Sequence, residues 1–339
     1  MSVLRARRAL RRQATEQRAL FDLPNHRAFV QYLTGLDPLR DTEAAIAQAV
    51  EKLDVDILVC SVPRPLKPEL ADDPNLYGIE PTVWRHHGST DGNIFGHDPV
   101  ANRPHLTLDG DGLRAHYVAE DARNRRFVGG MALTHGFLFT TCIHYAAEDL
   151  DYEEFLCACA LEPERVDGLL DRYEALSARQ LHAWMAANPE LMLCHDDIAN
   201  AKALAMRPAF LRKHLFPRYR RLFAPIKARG IPLLCMTDGN FLEVAEDYLE
   251  AGADGFFLDR PAIELEQLAA RCGPERIYFT GPTPEIMTVG SPRAVAREMD
   301  HLAELAADLP GFLYHMPGGW VHNMPLENVK TYYRKQGRI

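Results

Sequence analysis

The sequence predicts an α/β protein assembled from parallel strand–helix units, and three observations carry that prediction. In the stretch from Leu191 to Asn240, an apolar run, Leu191 to Leu193, ends in Cys194, His195, Asp196 and Asp197. A helical stretch follows, and a second apolar run, Ile231 to Leu234, ends in Cys235, Thr237, Asp238 and Asn240. Polar groups massed where two strands stop mark a βα unit whose site lies at the strand C-terminal ends. Secondly, five more short apolar runs alternate with amphipathic segments, which leaves a closed parallel barrel or an open doubly wound sheet. Thirdly, no Gly-x-Gly-x-x-Gly or P-loop opens any helix, which removes the best support for a nucleotide-binding sheet.

The elements follow in order. Residues 1–26 carry Arg5, Arg7, Arg8, Arg11, Arg12 and Arg18. They superficially resemble a transit peptide but are expected to form an Arg-rich helical arm over the barrel or over a partner subunit of a homodimer. A helix over Thr42–Leu53 leads into a strand at Val55–Cys60. Residues 61–126, with many prolines and with Trp84, Arg85, His86, His87 and His97, break the rhythm. So long an irregular insertion is often functional, and it is read as a loop over the barrel mouth with one hairpin-like piece, Pro104–Val118. A strand at Phe127–Leu133 leads to Thr134 and His135. Helical segments are expected over Glu162–Asn188, Phe241–Ala251, Ile263–Cys272 and Pro292–Asp308, where apolar residues recur three and four apart. The remaining strands are Gly255–Leu258, Ile277–Phe279 and Phe312–Tyr314, the last ending at His315, Pro317 and Gly318–Gly319.

The chain's 339 residues, 47% of them hydrophobic, can build one large barrel or two average domains. The net charge of -9 argues against a nucleic-acid face, which would need to be basic. Seven cysteines without a Cys-x-x-Cys indicate neither a disulfide framework nor a zinc ribbon, and fit a reducing cytoplasm. No apolar run is long enough to span a membrane.

Several segments together resemble the uroporphyrinogen decarboxylase superfamily over roughly residues 27–333. They are TGLDPLRDTEAAIAQAVEKLDVDIL, matched to the family's N-terminal helix and first strand; DLDYEEFLCACALEPERVDGLLDRY; HDDIAN; Phe210 to Asn240; AGADGFFLD; and MPLENVKTYY. The resemblance implies a single-domain (β/α)8 TIM barrel. Three departures count against decarboxylation of uroporphyrinogen itself. No MRQAGRY-like stretch is present, Ser61, Val62 and Pro63 follow Cys60 where the family has an Asp, and Gly318 stands where the family has a His. The superfamily's thiol-methylating branch holds zinc with a His-x-Cys and a C-terminal Cys. Here those places read Cys235, Thr237 and Gly318–Gly319, so the chain looks more like members that demethylate methoxylated aromatics. The resemblance implies a methyltransferase working with a corrinoid (cobalamin-type) cofactor. No Asp-x-His-x-x-Gly sequence occurs, so the corrinoid is expected on a partner protein. The alternatives are a decarboxylase or lyase acting on another substrate, and a non-catalytic binding protein.

Breaking a methyl–oxygen bond needs the leaving group neutralised by a proton or a Lewis acid. His195, Asp197 and Asp238 are the candidates, expected to converge from neighbouring strand ends, with two close carboxylates keeping one protonated. Alternatively His195, Asp197 and Cys235 hold Zn²⁺. Asp196 reads as an N-cap for the helix after it, and Cys194, Cys157 and Cys159 as packing. Trp84, Arg85 and His86 are assigned to stacking and charge contacts with substrate. Asn240 and His315 are expected to line the site, and one of His135 and His144 to reach it.

Overall fold

A computed structural model describes residues 2–59, 94–96, 98, 103–259, 262–321 and 323–339. Among the described residues eight parallel strands alternate with helices along the chain, the (β/α)8 TIM-barrel class. The strands are β1 (Ala19–Asp22), β2 (Ile57–Leu58), β3 (Gly136–Leu138), β4 (Met192–His195), β5 (Leu233–Met236), β6 (Gly255–Phe257), β7 (Ile277–Thr280) and β8 (Gly311–Tyr314). Among the described residues no helix is long and apolar enough to cross a membrane. The chain divides into two compact units, the first made of residues 1–83, 122–135 and 274–339, the second of 84–121 and 136–273.

In the first unit β2, β1, β8 and β7 run side by side in parallel, with Phe21 opposite Ile57 and Leu20 opposite Tyr314. The Arg-rich stretch is not an appended arm here. Helix α1 (Ser2–Leu10) is followed by β1, a strand wholly buried within the segment expected to lie outside the barrel. What lets it sit there is the fully buried Asp56. Its carboxylate accepts the Leu20 N–H at 2.8 Å, Arg5 Nε at 2.7 Å and Arg338 at 2.9 Å. A buried carboxylate is tolerated when paired and hydrogen-bonded, so Arg5 and Arg338 tie both ends of the chain to β2. The strand expected at 127–133 is instead the end of a helix and a Gly129–Gly130 turn. Only Leu133 makes a bridge, to Ile57, and the next strand starts at Gly136.

Helices α2 (Arg27–Thr34) and α3 (Thr42–Lys52) separate β1 from β2, and α4 (Gly110–Val128) precedes β3. The expected hairpin over Pro104–Val118 is therefore wrong. Asp109 and its glycines read as a turn, but Asp109 Oδ1 accepts the Gly112 N–H at 2.6 Å and starts a helix.

The second unit holds β3, β4, β5 and β6 in parallel register, with Cys194 opposite Cys235 and His195 opposite Met236. Helices α5 (Cys142–Asp149), α6 (Tyr152–Leu161) and α7 (Pro163–Trp184) connect β3 to β4. Asp151 caps α6 by accepting the Glu154 N–H. Between β4 and β5 the chain is not helical throughout. Ala199 and Leu204 form an antiparallel bridge first, and helix begins only at α8 (Pro208–Phe210). It widens to a π turn over Leu211–Leu215 before α9 (Phe216–Ala228). Pro217 has no N–H to donate, which removes one bond of the α ladder there. Helix α10 (Ala245–Ala251) follows β5, and α11 (Leu265–Cys272) follows β6. Helices α12 (Pro284–Val289), α13 (Pro292–Ala307) and α14 (Leu326–Lys335) complete the first unit.

Candidate active site

The candidate site is built on the C-terminal end of β4 and the first turns of α5, both in the second unit. His195, the last residue of β4, directs Nε2 at Asp197 Oδ1, 2.9 Å away, and Nδ1 at the Phe139 carbonyl, 2.7 Å away. A carbonyl only accepts, so Nδ1 carries a hydrogen and Nε2 is the nitrogen offered to Asp197. His144 approaches the same carboxylate from α5, its Nδ1 3.2 Å from Asp197 Oδ2 and its Nε2 3.3 Å from Glu148 Oε1. Asp197 thus sits between two nearly buried imidazoles while about a fifth of its own side chain, 20%, stays open to solvent.

Three connections hold this geometry. Asp196, fully desolvated, takes the N–H groups of Ile143 and His144 at the start of α5 and the Tyr219 hydroxyl at 2.7 Å. A carboxylate there satisfies orphan amides and complements the helix dipole. Asp196 therefore serves the first turn of α5, some fifty positions earlier, where the N-cap residue Thr141 makes no side-chain cap bond of its own, and not the helix that follows it. Thr141 adds a bond to the His195 carbonyl at 2.8 Å. Behind His144, Glu148 accepts from Arg103 at 2.9 Å, and Arg103 also pairs with Asp149 at 2.7 Å. Arg103 belongs to the stretch expected to form a loop over the mouth, and its described role is to brace α5.

Charge follows from this packing. Burial pushes the Asp197 carboxyl up, but the hydrogen bonds and charges of His144 and His195 outweigh burial and hold it well below the usual carboxylate range. Burial lowers His144, and its bonds to Asp197 and Glu148 reverse that, lifting it to about 10. At Asp196 burial wins over Tyr219 and the two amides, and its pKa is raised.

Of the residues expected to converge, His195 and Asp197 do. Asp238 joins them through its backbone: its N–H donates to Asp197 Oδ1 at 3.0 Å. The Asp238 amide is aimed there by Gly239, whose φ of +83° and contact with the Asn200 backbone leave no room for a Cβ. Asn240 accepts the Leu242 N–H through Oδ1 at 3.2 Å, a local turn bond. Cys235 is not part of the cluster either. Successive strand side chains face opposite ways, so Cys235, paired with Cys194, lies on the opposite face from His195. Burial pushes its thiol well up. Thr237, at the other position of the zinc strand, accepts the Ile198 N–H through its hydroxyl at 3.2 Å. That strand carries no zinc set. Cys157 is exposed, not packed.

His135 and His315 belong to the first unit, where both rings flank Phe21 at 5.4 and 5.5 Å. Trp84, Arg85, His86, His87 and His97 lie outside the described residues. Two participants escaped sequence reasoning. Glu148 stands one helical turn after His144, a spacing visible in the sequence but common enough to pass unnoticed. Phe139, just past β3, is 54% exposed with its ring 5.2 Å from that of His195 and 6.1 Å from that of His144. Nothing in a run reading GFLFTT marks which phenylalanine stays in water.

Residues 138–335 match the family model described as Uroporphyrinogen decarboxylase (URO-D). That match takes in more than half of the chain, and the protein belongs to the uroporphyrinogen decarboxylase (URO-D) family. Among curated proteins it is similar to the uroporphyrinogen decarboxylases of two strains of Thermus thermophilus, at 25% and 24% identity over 216 residues. Those alignments take in 64% of this chain and 54% of each relative, so the chain spans about half the length of the curated relatives it matches. Among solved structures, a methyltransferase from Methanosarcina mazei shares the fold with a TM-score of 0.68 at 15% identity, covering 99% of this chain and 98% of that one.

Proposed function

We propose that the protein is a methyltransferase, transferring a methyl group between a small methoxylated aromatic compound and a corrinoid carried on a partner protein. The observation that carries this reading is the Asp197 carboxylate between His144 and His195, open to solvent beside the exposed ring of Phe139. An exposed aromatic side chain at a polar cluster suits a flat aromatic substrate, which it can stack. When the methyl–oxygen bond breaks, the electron pair stays on oxygen, and that oxygen requires a proton or a cation to leave. In this reading His195 and His144 would supply that positive charge, with Asp197 fixing both rings. A cob(I)amide would supply the electron pair that forms the new bond to the methyl carbon. The fold shared with a protein described as a methyltransferase agrees with this reading.

A carboxy-lyase is the second reading, favoured by the curated relatives, which are both uroporphyrinogen decarboxylases. The two separate in one assay. Full-length protein with chemically reduced cob(I)alamin and a panel of methoxyarenes is expected to give methylcobalamin, followed by its absorption, together with the free phenol. No methylcobalamin across the panel, with carbon dioxide released from an aromatic acid in the absence of any corrinoid, would replace the first reading by the second.

A further inference from the structure

We propose that His195 Nε2, His144 Nδ1 and a carboxylate oxygen of Asp197 form a binding site for one divalent transition-metal cation of the zinc class. These three side chains are the one group among the described residues whose ligand atoms, one from each, lie within 4.8 Å of one another. The spacing suits an ion. Nitrogen and oxygen ligands about 2.1 Å from zinc at tetrahedral angles lie about 3.4 Å apart; here His195 Nε2 is 2.9 Å from Asp197 Oδ1 and His144 Nδ1 is 3.2 Å from Oδ2, so the two rings approach the carboxylate from its two oxygens.

The tautomers point the same way. His195 gives its Nδ1 hydrogen to the Phe139 carbonyl, and His144 turns Nε2 to Glu148, itself gripped by Arg103. A ring nitrogen bonded to a carbonyl or carboxylate on its far side is the arrangement that orients histidine ligands of metals. In a neutral ring so arranged, the other nitrogen presents a lone pair. Both lone pairs then face a carboxylate that can only accept, an arrangement that calls for a positive ion between them or a second proton on each ring. Two imidazoles, one carboxylate and a solvent-facing side leave the open position that catalytic zinc sites keep for water or substrate. This site is separate from the strand position where Cys235 and Thr237 stand.

For its chemical role the inference rests on the methyl-transfer reading, since the cation would act as the Lewis acid on the departing oxygen. Binding itself is independent of that reading and is tested without turnover. The full chain, stripped with a chelator and dialysed, is titrated with Zn²⁺ alone by calorimetry and with Co²⁺ by visible absorption. The expected result is one equivalent per chain and cobalt bands of a four- or five-coordinate nitrogen–oxygen site. His144→Ala and His195→Ala should each weaken Zn²⁺ binding by more than 100-fold, Glu148→Gln by about 10–100-fold, and Cys235→Ser not at all. Less than a tenth of an equivalent bound, or binding indifferent to both alanine changes, overturns the site. If the alanine variants do not fold, the wild-type cobalt spectrum decides, because thiolate charge-transfer absorption would put the ion on cysteine. Methyl transfer by metal-free protein would remove the cation's Lewis-acid role and leave the methyltransferase standing. A bound ion with no methyl transfer to cobalamin from any donor would do the reverse.

Discussion

Asp56 and Asp197 are both carboxylates gripped by two basic side chains, and the contrast between them shows how this chain separates structure from chemistry. Asp56 is sealed completely, its partners are the guanidinium groups of Arg5 and Arg338, and a β-strand amide takes the remaining place. Asp197 keeps a fifth of its side chain in solvent and its partners are imidazoles. Burial dominates at Asp56, pushing its carboxyl up despite Arg338 and Arg5, whereas at Asp197 the imidazole bonds dominate and push it down. Guanidinium does not exchange protons near neutrality, but imidazole does and also ligates metals. One cluster is a clamp on the chain ends; the other keeps a carboxylate and two imidazoles within reach of solvent.

Substitutions can break this contrast. The largest effect is expected for Asp197→Asn, which should slow methyl transfer about 10²–10⁴-fold while leaving the thermal midpoint within a few degrees of wild type. A midpoint lowered as far as in the Asp56 variant would make Asp197 a second clamp and remove it from the chemistry. Asp56→Asn leaves Arg5 and Arg338 uncompensated in a buried place. It should cost about 3–5 kcal/mol of stability in urea unfolding, with turnover per folded molecule unchanged at low temperature. Phe139→Ala should weaken binding of an aromatic methyl donor by about 0.5–1.5 kcal/mol, seen as a higher KM at constant kcat; an unaltered KM would mean the exposed ring does not meet the substrate. The smallest effect is assigned to Tyr219→Phe, which removes one of the bonds to Asp196. It should cost about 1 kcal/mol, and because Asp196 sets α5 against β4, activity should fall with stability. Loss of stability alone would show that the cap does not position His144.

The fold was legible wherever a buried strand was followed by an amphipathic helix: β4 to β8 and helices α7, α11 and α13 stand within a few residues of their expected places. It was illegible at β1, where four buried residues follow an arginine run too short of apolar length to register. It also failed at α4, because an Asp–Gly pair is both a turn signal and a helix start. For the site, His195 and Asp197 could be picked out because they stand on one strand end. The Asp238 amide contact with Asp197 is a backbone bond that no residue type announces, and strand alternation puts Cys235 on the face opposite His195.

Alternation of apolar and amphipathic segments by itself determined a parallel α/β fold and the strand end at which His195 and Asp197 stand, because hydrophobic periodicity is local and survives in a linear reading. Only tertiary structure decided that His144 meets Asp197 across 53 positions of chain, that Asp196 caps a distant helix, and that Phe139 stays in water. Such partnerships are fixed by how α5 is seated on β4 through hydrogen bonds between remote residues, and no spacing in the sequence encodes them.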